Sequence, residues 1–281
     1  MSASPMRPGG SRLAASGVTL AYPGADEPVL HDVSAPLDHG SMTVIVGPNA
    51  CGKSTLLRTF ARVLRPSAGS VTLDGKSVAS HSSKEFARAV GFLPQSAIAP
   101  EGITVGDLVS RGRYPHQGML RQWSDADEAS VVAALDRTAT WELRDRRVED
   151  LSGGQRQRVW IAMVLAQQTD ILLLDEPTTF LDIAHQLEIM ELCRELKEEH
   201  GTTVVAVLHD LNHAARYADR IIAMRAGRVI AHGTPEDVVT GETVHDVFGI
   251  PARVIPDPET GTPLVVPLAG ARARRAEAEL V

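Results

Sequence analysis

The stretch Thr-Val-Ile-Val-Gly-Pro-Asn-Ala-Cys-Gly-Lys-Ser-Thr-Leu, residues 43–56, constrains the rest of the chain most. Its first four residues are an apolar, β-branched run that reads as a buried strand. The run stops at Gly47, and the pattern reopens as a helix after Gly52. The spacing from Gly47 to Gly52, Lys53 and Ser54 is the phosphate-binding loop pattern. Gly47 and Gly52 let the backbone curl so that successive N–H groups aim at phosphate oxygens. Those donors stand at a helix N-terminus, where the dipole also favours an anion. Lys53 supplies a point charge for the outer phosphates, and the Ser54 hydroxyl can ligate Mg²⁺.

The bulk properties narrow the class. At 281 residues, 43% of them hydrophobic, the chain is one large domain or two small ones with a substantial core. Its net charge is 28 − 35 = −7 with no basic stripe, which argues against a nucleic-acid partner. No apolar run approaches the ~18 residues of a membrane span. The N-terminal segment, to residue 11, has no apolar region behind a charged one; it reads as a disordered leader, not a secretory signal. Cys51 and Cys193 make no disulfide framework, which suits the cytoplasm. Cys51 stands at the start of the loop helix, where a thiol pKa tends to fall. A tolerated small side chain is the plainer reading of that position.

In chain order, residues 12–22 alternate loosely and read as an edge strand, and 29–37 as a second strand. The loop helix is expected from Lys53 to about Val63, with Pro66 ending it. Residues 70–75 read as a strand and tight turn at Asp74 and Gly75, and 84–88 as a short helix. Residues 96–150 lack a β-branched strand and carry helical patterns and many charges, so they read as a helical insertion in an α/β core. Within it, residues 144–147 read as a solvated face. Ser152 is a good N-cap for the helix that follows. Residues 170–175 form a buried parallel strand that ends in carboxylates. A helix is expected over 183–199, a buried strand over 202–208 ending at His209, then a helix, a hairpin at Ala226 and Gly227, and short helices near 235–239 and 244–248. From Pro251 the chain is only Pro/Gly-rich, with fraying expected from Arg272.

In parallel α/β sheets, ligands collect at the carboxyl ends of strands. Three such ends carry polar groups: the loop, Asp175 with Glu176, and His209. Asp175 can hold Mg²⁺ through its water shell. Glu176 is a candidate general base for an attacking water, and His209 could sense or polarise a terminal phosphate. Alone, Asp-Glu-Pro reads equally as a strand-to-turn exit; downstream of a phosphate loop the catalytic reading is favoured. His209 and His213 lie at i, i+4, but Asp210 replaces the glutamate of a zinc-protease helix, which argues against a metal pair. Ser152, Gly153 and Gly154 open a second helix N-terminus suited to anions. Either this is a plain capped helix, or two chains sandwich a nucleotide between them.

Taken together, these segments resemble the nucleotide-binding subunit of an ABC transporter. Gly47, Pro48, Asn49, Ala50, Cys51, Gly52, Lys53, Ser54 and Thr55 match its Walker A motif. Gln95 matches the Q-loop glutamine, and residues 151–155, with Ser152, Gly153, Gly154 and Gln155, match the signature. Residues 171–176 match Walker B, Asp182 the D-loop aspartate and His209 the switch histidine. Tyr22 sits where the family stacks adenine. The resemblance implies an α/β P-loop NTPase (RecA-like) core over residues 12–95 and 151–249, with an antiparallel β subdomain. It implies the helical subdomain at 96–150 and a C-terminal extension over 250–281. It implies ATP and Mg²⁺ as cofactors, with Glu176, His209 and Gln95 catalytic and Ser54, Gln95 and Asp175 at the metal. It also implies a head-to-tail homodimer with two ATP between Walker A of one chain and the signature of the other.

Residues 105–109, 111–117, 177–186, 209–212 and 257–264 narrow the likeness to the ferric-siderophore, haem and cobalamin importer group, siderophore members above all. His213 departs from an expected glutamine. The implied role is an ATPase that energises an iron-siderophore importer. It would sit peripherally on the cytoplasmic face of the membrane, dock a permease through residues 96–150 (with 111–116 as contacts or as a solvated turn), and work indirectly with an extracytoplasmic binding protein. A haem or cobalamin importer is the near alternative. A soluble ABC ATPase acting on nucleic acid or ribosomes is the remote one, because the chain has no second cassette, coiled coil or basic patch.

Overall fold

The computed structural model describes residues 11–118, 123–179 and 181–268. The strands are β1 Ser11–Leu20, β2 Leu30–Asp38, β3 Met42–Val46, β4 Ala68–Leu73, β5 Lys76–Ser77, β6 Val90–Leu93, β7 Ile171–Asp175, β8 Thr203–Val207, β9 Arg220–Arg225, β10 Arg228–Gly233, β11 Ala252–Pro256 and β12 Pro263–Pro267. The helices are α1 Lys53–Phe60, α2 Ser83–Ala89, α3 Val105–Ser110, α4 Asp125–Arg137, α5 Gly153–Ala166, α6 Ile183–His200, α7 Leu211–Tyr217, α8 Pro235–Val238 and α9 Gly241–Phe248. The chain divides into two compact units, one formed by Met1–Ser77 with Val205–Val281 and the other by Val78–Val204. The boundary falls inside β8. The leader expected over residues 1–11 lies outside the described residues except for Ser11, which opens β1. The fraying expected from Arg272 also lies outside them.

In the first unit, β2, β1, β4 and β5 form an antiparallel sheet in that order. The loose alternation of β1 has a physical cause. Leu13 and Ala15 are buried, as are Val18 and Leu20, but the pairing register shifts between Ala15 and Val18 against β2. That irregularity inserts an extra residue and resets which face points inward. β3 is buried at all five positions and pairs in parallel with β9, Val44 opposite Ile221 and Val46 opposite Ala223. A strand covered on both faces has no polar side to show, so it reads as a continuous apolar run. The tight turns expected at Asp74–Gly75 and Ala226–Gly227 are present, each with both residues at positive φ.

Two expectations change here. Helix α1 ends at Phe60, not near Val63. Arg62 turns to a left-handed φ of 59°, and the N–H groups of Val63 and Leu64 fold back onto the Arg58 carbonyl, closing the helix before Pro66. The segment after Pro251, read only as Pro/Gly-rich, forms the antiparallel hairpin β11–β12, with Val254 opposite Val265. Prolines usually demote a strand, but Pro256 and Pro263 oppose each other at the end of the pairing, where a missing N–H costs least.

In the second unit, β6 and β7 pair in parallel, Val90 opposite Ile171 through Leu93 opposite Leu174. Ser124 caps α4 in a reciprocal capping box with Asp127. Asp127 also accepts from Arg113 Nε at 3.0 Å, and Arg113 Nη1 donates to the Ala166 carbonyl at 2.8 Å and to Gln168 Oε1 at 3.0 Å. Both charged residues are buried. One guanidinium thus ties the start of α4 to the end of α5. His116 Nε2 lies 2.7 Å from the Gln167 carbonyl. Of the basic turn at 111–116, Arg113 and His116 therefore face inward, while Arg111 and Tyr114 are exposed. Residues 145–147 are exposed as expected, but Arg144 stacks over the Trp141 ring at 4.4 Å. Among the described residues, no helix is long and apolar enough to cross a membrane.

The Ser124 hydroxyl, and after it the Arg113 guanidinium, hold the Asp127 carboxyl down to about 2 against the opposing effect of burial. A carboxyl held below its unfolded value stabilises the fold above the ordinary aspartate range, and that contribution is lost as pH falls toward 2. Asp127→Asn should lower Tm at pH 7 by at least about 5 °C. The difference from wild type should shrink in melts at pH 2.5 to 3, followed by circular dichroism.

Candidate active site

The phosphate loop of the first unit is built where a side chain will not fit. Gly47 has φ 152° and Gly52 has φ 102°. A Cβ on Gly47 would lie 2.2 Å from the Met224 carbonyl oxygen and 2.8 Å from Cys51 Sγ. The loop also holds Ala50 at φ 60°, a conformation that costs a non-glycine residue free energy. Lys53 is buried, and its ammonium donates to the carbonyls of Gly47 at 2.9 Å and Pro48 at 3.0 Å. The cation is therefore fastened to the loop that it serves. At the N-cap, Gly52 offers no side-chain bond, and no acid occupies the first turn of α1. That leaves the positive end of the helix without a built-in anion.

Tyr22 is partly exposed, and its hydroxyl lies 3.2 Å from Thr55 Oγ1, which fixes the ring beside the start of α1. Leu208 N donates to the Ile45 carbonyl at 3.2 Å, so β8 leaves for His209 beside the strand that leaves for Gly47. Asp210 then caps α7, accepting from Asn212 N at 2.7 Å and His213 N at 3.0 Å. Among the described residues there is no group of three or more His, Cys, Asp or Glu that could hold a metal ion.

Cys51 departs from the expectation of a lowered thiol pKa. Burial pushes its thiol up, with the Lys53 charge only partly opposing. The residue precedes α1 with its sulfur close to Gly47, and the backbone N–H groups of Lys53 and Cys51 at the helix start also oppose the rise only in part.

The second unit carries the carboxylates. Asp175 is the last residue of β7 and is fully buried. Glu176 follows at φ 53°, a left-handed conformation that a non-glycine residue holds only under constraint. Its Oε2 accepts from Gln95 Nε2 at 2.6 Å and from Thr179 Oγ1 at 3.1 Å. Gln157 Nε2, from α5, donates to the Pro177 carbonyl at 2.9 Å. Ser152 and Gln155 form a capping box at the start of α5: Ser152 Oγ accepts from Gln155 N at 3.3 Å, and Gln155 Oε1 accepts from Ser152 N at 3.1 Å. Asp182 caps α6 through His185 N at 2.9 Å, with His185 Nδ1 2.7 Å from the same oxygen. The His185 backbone N–H, then its ring, hold the Asp182 carboxyl below the usual range.

The first unit thus assembles Tyr22, the loop and His209, and the second joins Gln95 to Glu176 and orders Asp175, Asp182 and residues 152–155. Thr179, Gln157 and His185 escaped the sequence reading. Thr179 and His185 each stand three residues after the acid they bond, a local spacing that could have exposed them.

The family model described as ABC transporter matches residues 30–179. The ferric enterobactin transport ATP-binding protein of Escherichia coli (strain K12) is 50% identical over 258 residues, 92% of this chain and 94% of that protein. The achromobactin transport ATP-binding protein of Dickeya dadantii (strain 3937) is 50% identical over 250 residues, 89% of this chain and 92% of that protein. A solved dimeric ATP-binding cassette in a post-hydrolysis state, bound to ADP and Pi, superposes with a TM-score of 0.70 at 29% identity. It covers 79% of this chain and 98% of that one.

Burial also drives the Cys193 thiol up to about 12. Iodoacetamide at pH 8 should therefore alkylate both cysteines of the folded protein at least about tenfold more slowly than free cysteine. Intact-mass spectrometry over time reads the difference, and denatured protein should take two labels at the free rate.

Proposed function

The chain belongs to the ABC transporter family as one of its ATP-binding cassettes, and we propose that it hydrolyses ATP to energise import of iron-siderophore complexes. The pairing of Glu176 with Gln95 directly behind the buried Asp175 carries the catalytic part of this reading. A carboxylate at the tip of a buried strand, gripped by an amide from another element, suits a base whose availability depends on what else that amide touches. In the reaction, Lys53 and the N–H groups opening α1 hold the outer phosphates of ATP. Glu176 takes the proton from the attacking water, and His209 polarises the terminal phosphate. Gln95 must release Glu176 before the base can act. Tyr22 stacks on the adenine.

By their chemistry, Ser54 of the first unit and Gln95 and Asp175 of the second would each offer a hard oxygen donor of the kind that suits Mg²⁺. Bound there, the ion would supply charge neutralisation on the phosphates.

A second copy contributes Ser152, Gly153, Gly154 and Gln155, with Asp182, across the other side of the nucleotide. The assembly works on permease subunits at the cytoplasmic face of the membrane, and an extracytoplasmic binding protein serves the permease. Residues 96–150 are the proposed docking segment. Exposed Tyr114 and Trp123, with Arg111, support this, whereas Arg113 and His116 are already used internally.

Glu176→Gln should keep ATP binding and lose turnover by about 10²–10⁴-fold. A radiolabelled-nucleotide filter assay beside a phosphate-release assay separates the two effects, and normal turnover would remove Glu176 from the base role. Transport itself is tested by co-expressing the chain with candidate permeases and measuring labelled ferric-siderophore uptake into vesicles. Failure to associate with any permease would sink the transport assignment.

A further inference from the structure

His209 is followed at once by α7, and α7 is held from outside by the C-terminal hairpin. Asn212, in the first turn of α7, meets the backbone of Val265 in both directions. Val265 N donates to Asn212 Oδ1 at 2.7 Å, and Asn212 Nδ2 donates to the Val265 carbonyl at 3.4 Å. The side-chain amide thus pairs with β12 as a strand residue would. Arg216, one turn further on the same face of α7, reaches Glu259 Oε2 at 2.6 Å and lies 4.0 Å from Asp257 Oδ1 at the hairpin tip.

The hairpin itself is firmly closed. Asp257 Oδ1 accepts from the N–H groups of Glu259 at 2.8 Å and Thr260 at 3.1 Å. Leu268 N donates to the Pro251 carbonyl at 2.9 Å, which shuts the open end. Val265 is buried, although its strand neighbours Leu264 and Val266 are not. Two attachment points four residues apart fix both the tilt and the rotation of a two-turn helix. With Asp210 capping that helix through the N–H groups of Asn212 and His213, the chain has little freedom left at His209.

We propose that the β11–β12 hairpin is a splint for α7, and that Asn212 is a positioning residue that sets His209 for the terminal phosphate through its paired bonds to Val265. The inference rests on the role given to His209 above. It accounts for a stretch of chain that neither the phosphate loop nor the carboxylates use. It also gives the C-terminal segment a route to the catalytic rate: whatever loosens the hairpin slows turnover without touching nucleotide.

The test uses the full-length protein and four variants. Asn212→Ala removes the amide. Val265→Pro removes the facing N–H, which points at Asn212 and away from β11, so the strand pairing keeps its own bonds. The third variant combines both changes, and the fourth is His209→Ala. Misplacing a catalytic group by a fraction of an ångström slows chemistry more than binding. Asn212→Ala and Val265→Pro should therefore each cut turnover at saturating ATP about tenfold, with KM for ATP unchanged within about twofold. The double variant should lose no more than the worse single one, because the two changes remove one interaction. The pH–rate profile should shift in both single variants, since the environment of His209 changes. Additive losses, an unmoved pH profile or normal turnover in Asn212→Ala would overturn the splint. Normal turnover in His209→Ala would instead overturn the role of His209, which separates the two failures.

Discussion

The approach of the Gly47 backbone to the Met224 carbonyl is the contact on which the phosphate loop depends. With 2.2 Å between that oxygen and any added Cβ, no other residue can let β3 end so close to β9. That closeness sets the curl of the loop, and the curl sets where the α1 donors and Lys53 stand. The parallel pairing of β3 with β9 is fixed by Val44, Ile45 and Val46 packing against Ile221, Ile222 and Ala223, all buried. At roughly 25 cal/mol per Å² of apolar area removed from water, that packing outweighs the conformational cost carried by Ala50. The anion cradle is thus a by-product of hydrophobic pairing one strand away.

The second unit solves a different problem, which is how to hold acids in fixed positions. Asp175 ends a fully buried strand, Glu176 is twisted into a left-handed conformation, and Gln95 and Thr179 restrain its carboxylate. Gln95 and Thr179 both donate from neutral side chains. Asp127 is held by a hydroxyl and a guanidinium together, and its carboxyl is pulled down to about 2. That acid serves the fold, tying the start of α4 through Arg113 to the end of α5.

Much of this was legible in the sequence because the chemistry admits few residue types. The strand, loop and helix at 43–60 and the acidic exit of β7 follow from buried runs interrupted by glycine or carboxylate. Ser152 reads in the sequence as the N-cap of α5, and the structure adds its capping box with Gln155. Much of what escaped depends on contacts distant in sequence, although Thr179 and His185 lie only three residues from the acids they bond. Gln95 and Glu176 are 81 residues apart, and no periodicity reports their meeting. Arg113 sits in a run that looks basic and solvated, yet it is buried because Asp127 and the last carbonyls of α5 need a donor. The β11–β12 hairpin was hidden by its prolines, whose positions at the end of the pairing make them harmless. The thiol of Cys51 went the opposite way from its nominal place at a helix start, since burial outweighed the nearby charge.

The capping box that opens α5 has one more consequence. Ser152 and Gln155 have already chosen their rotamers and hold each other in the lone chain. On the reading proposed above, a twin subunit arriving at this face would meet a finished surface and need not organise it on contact. Less configurational freedom would then be surrendered at the moment of encounter, leaving more of the contact energy to hold the pair together.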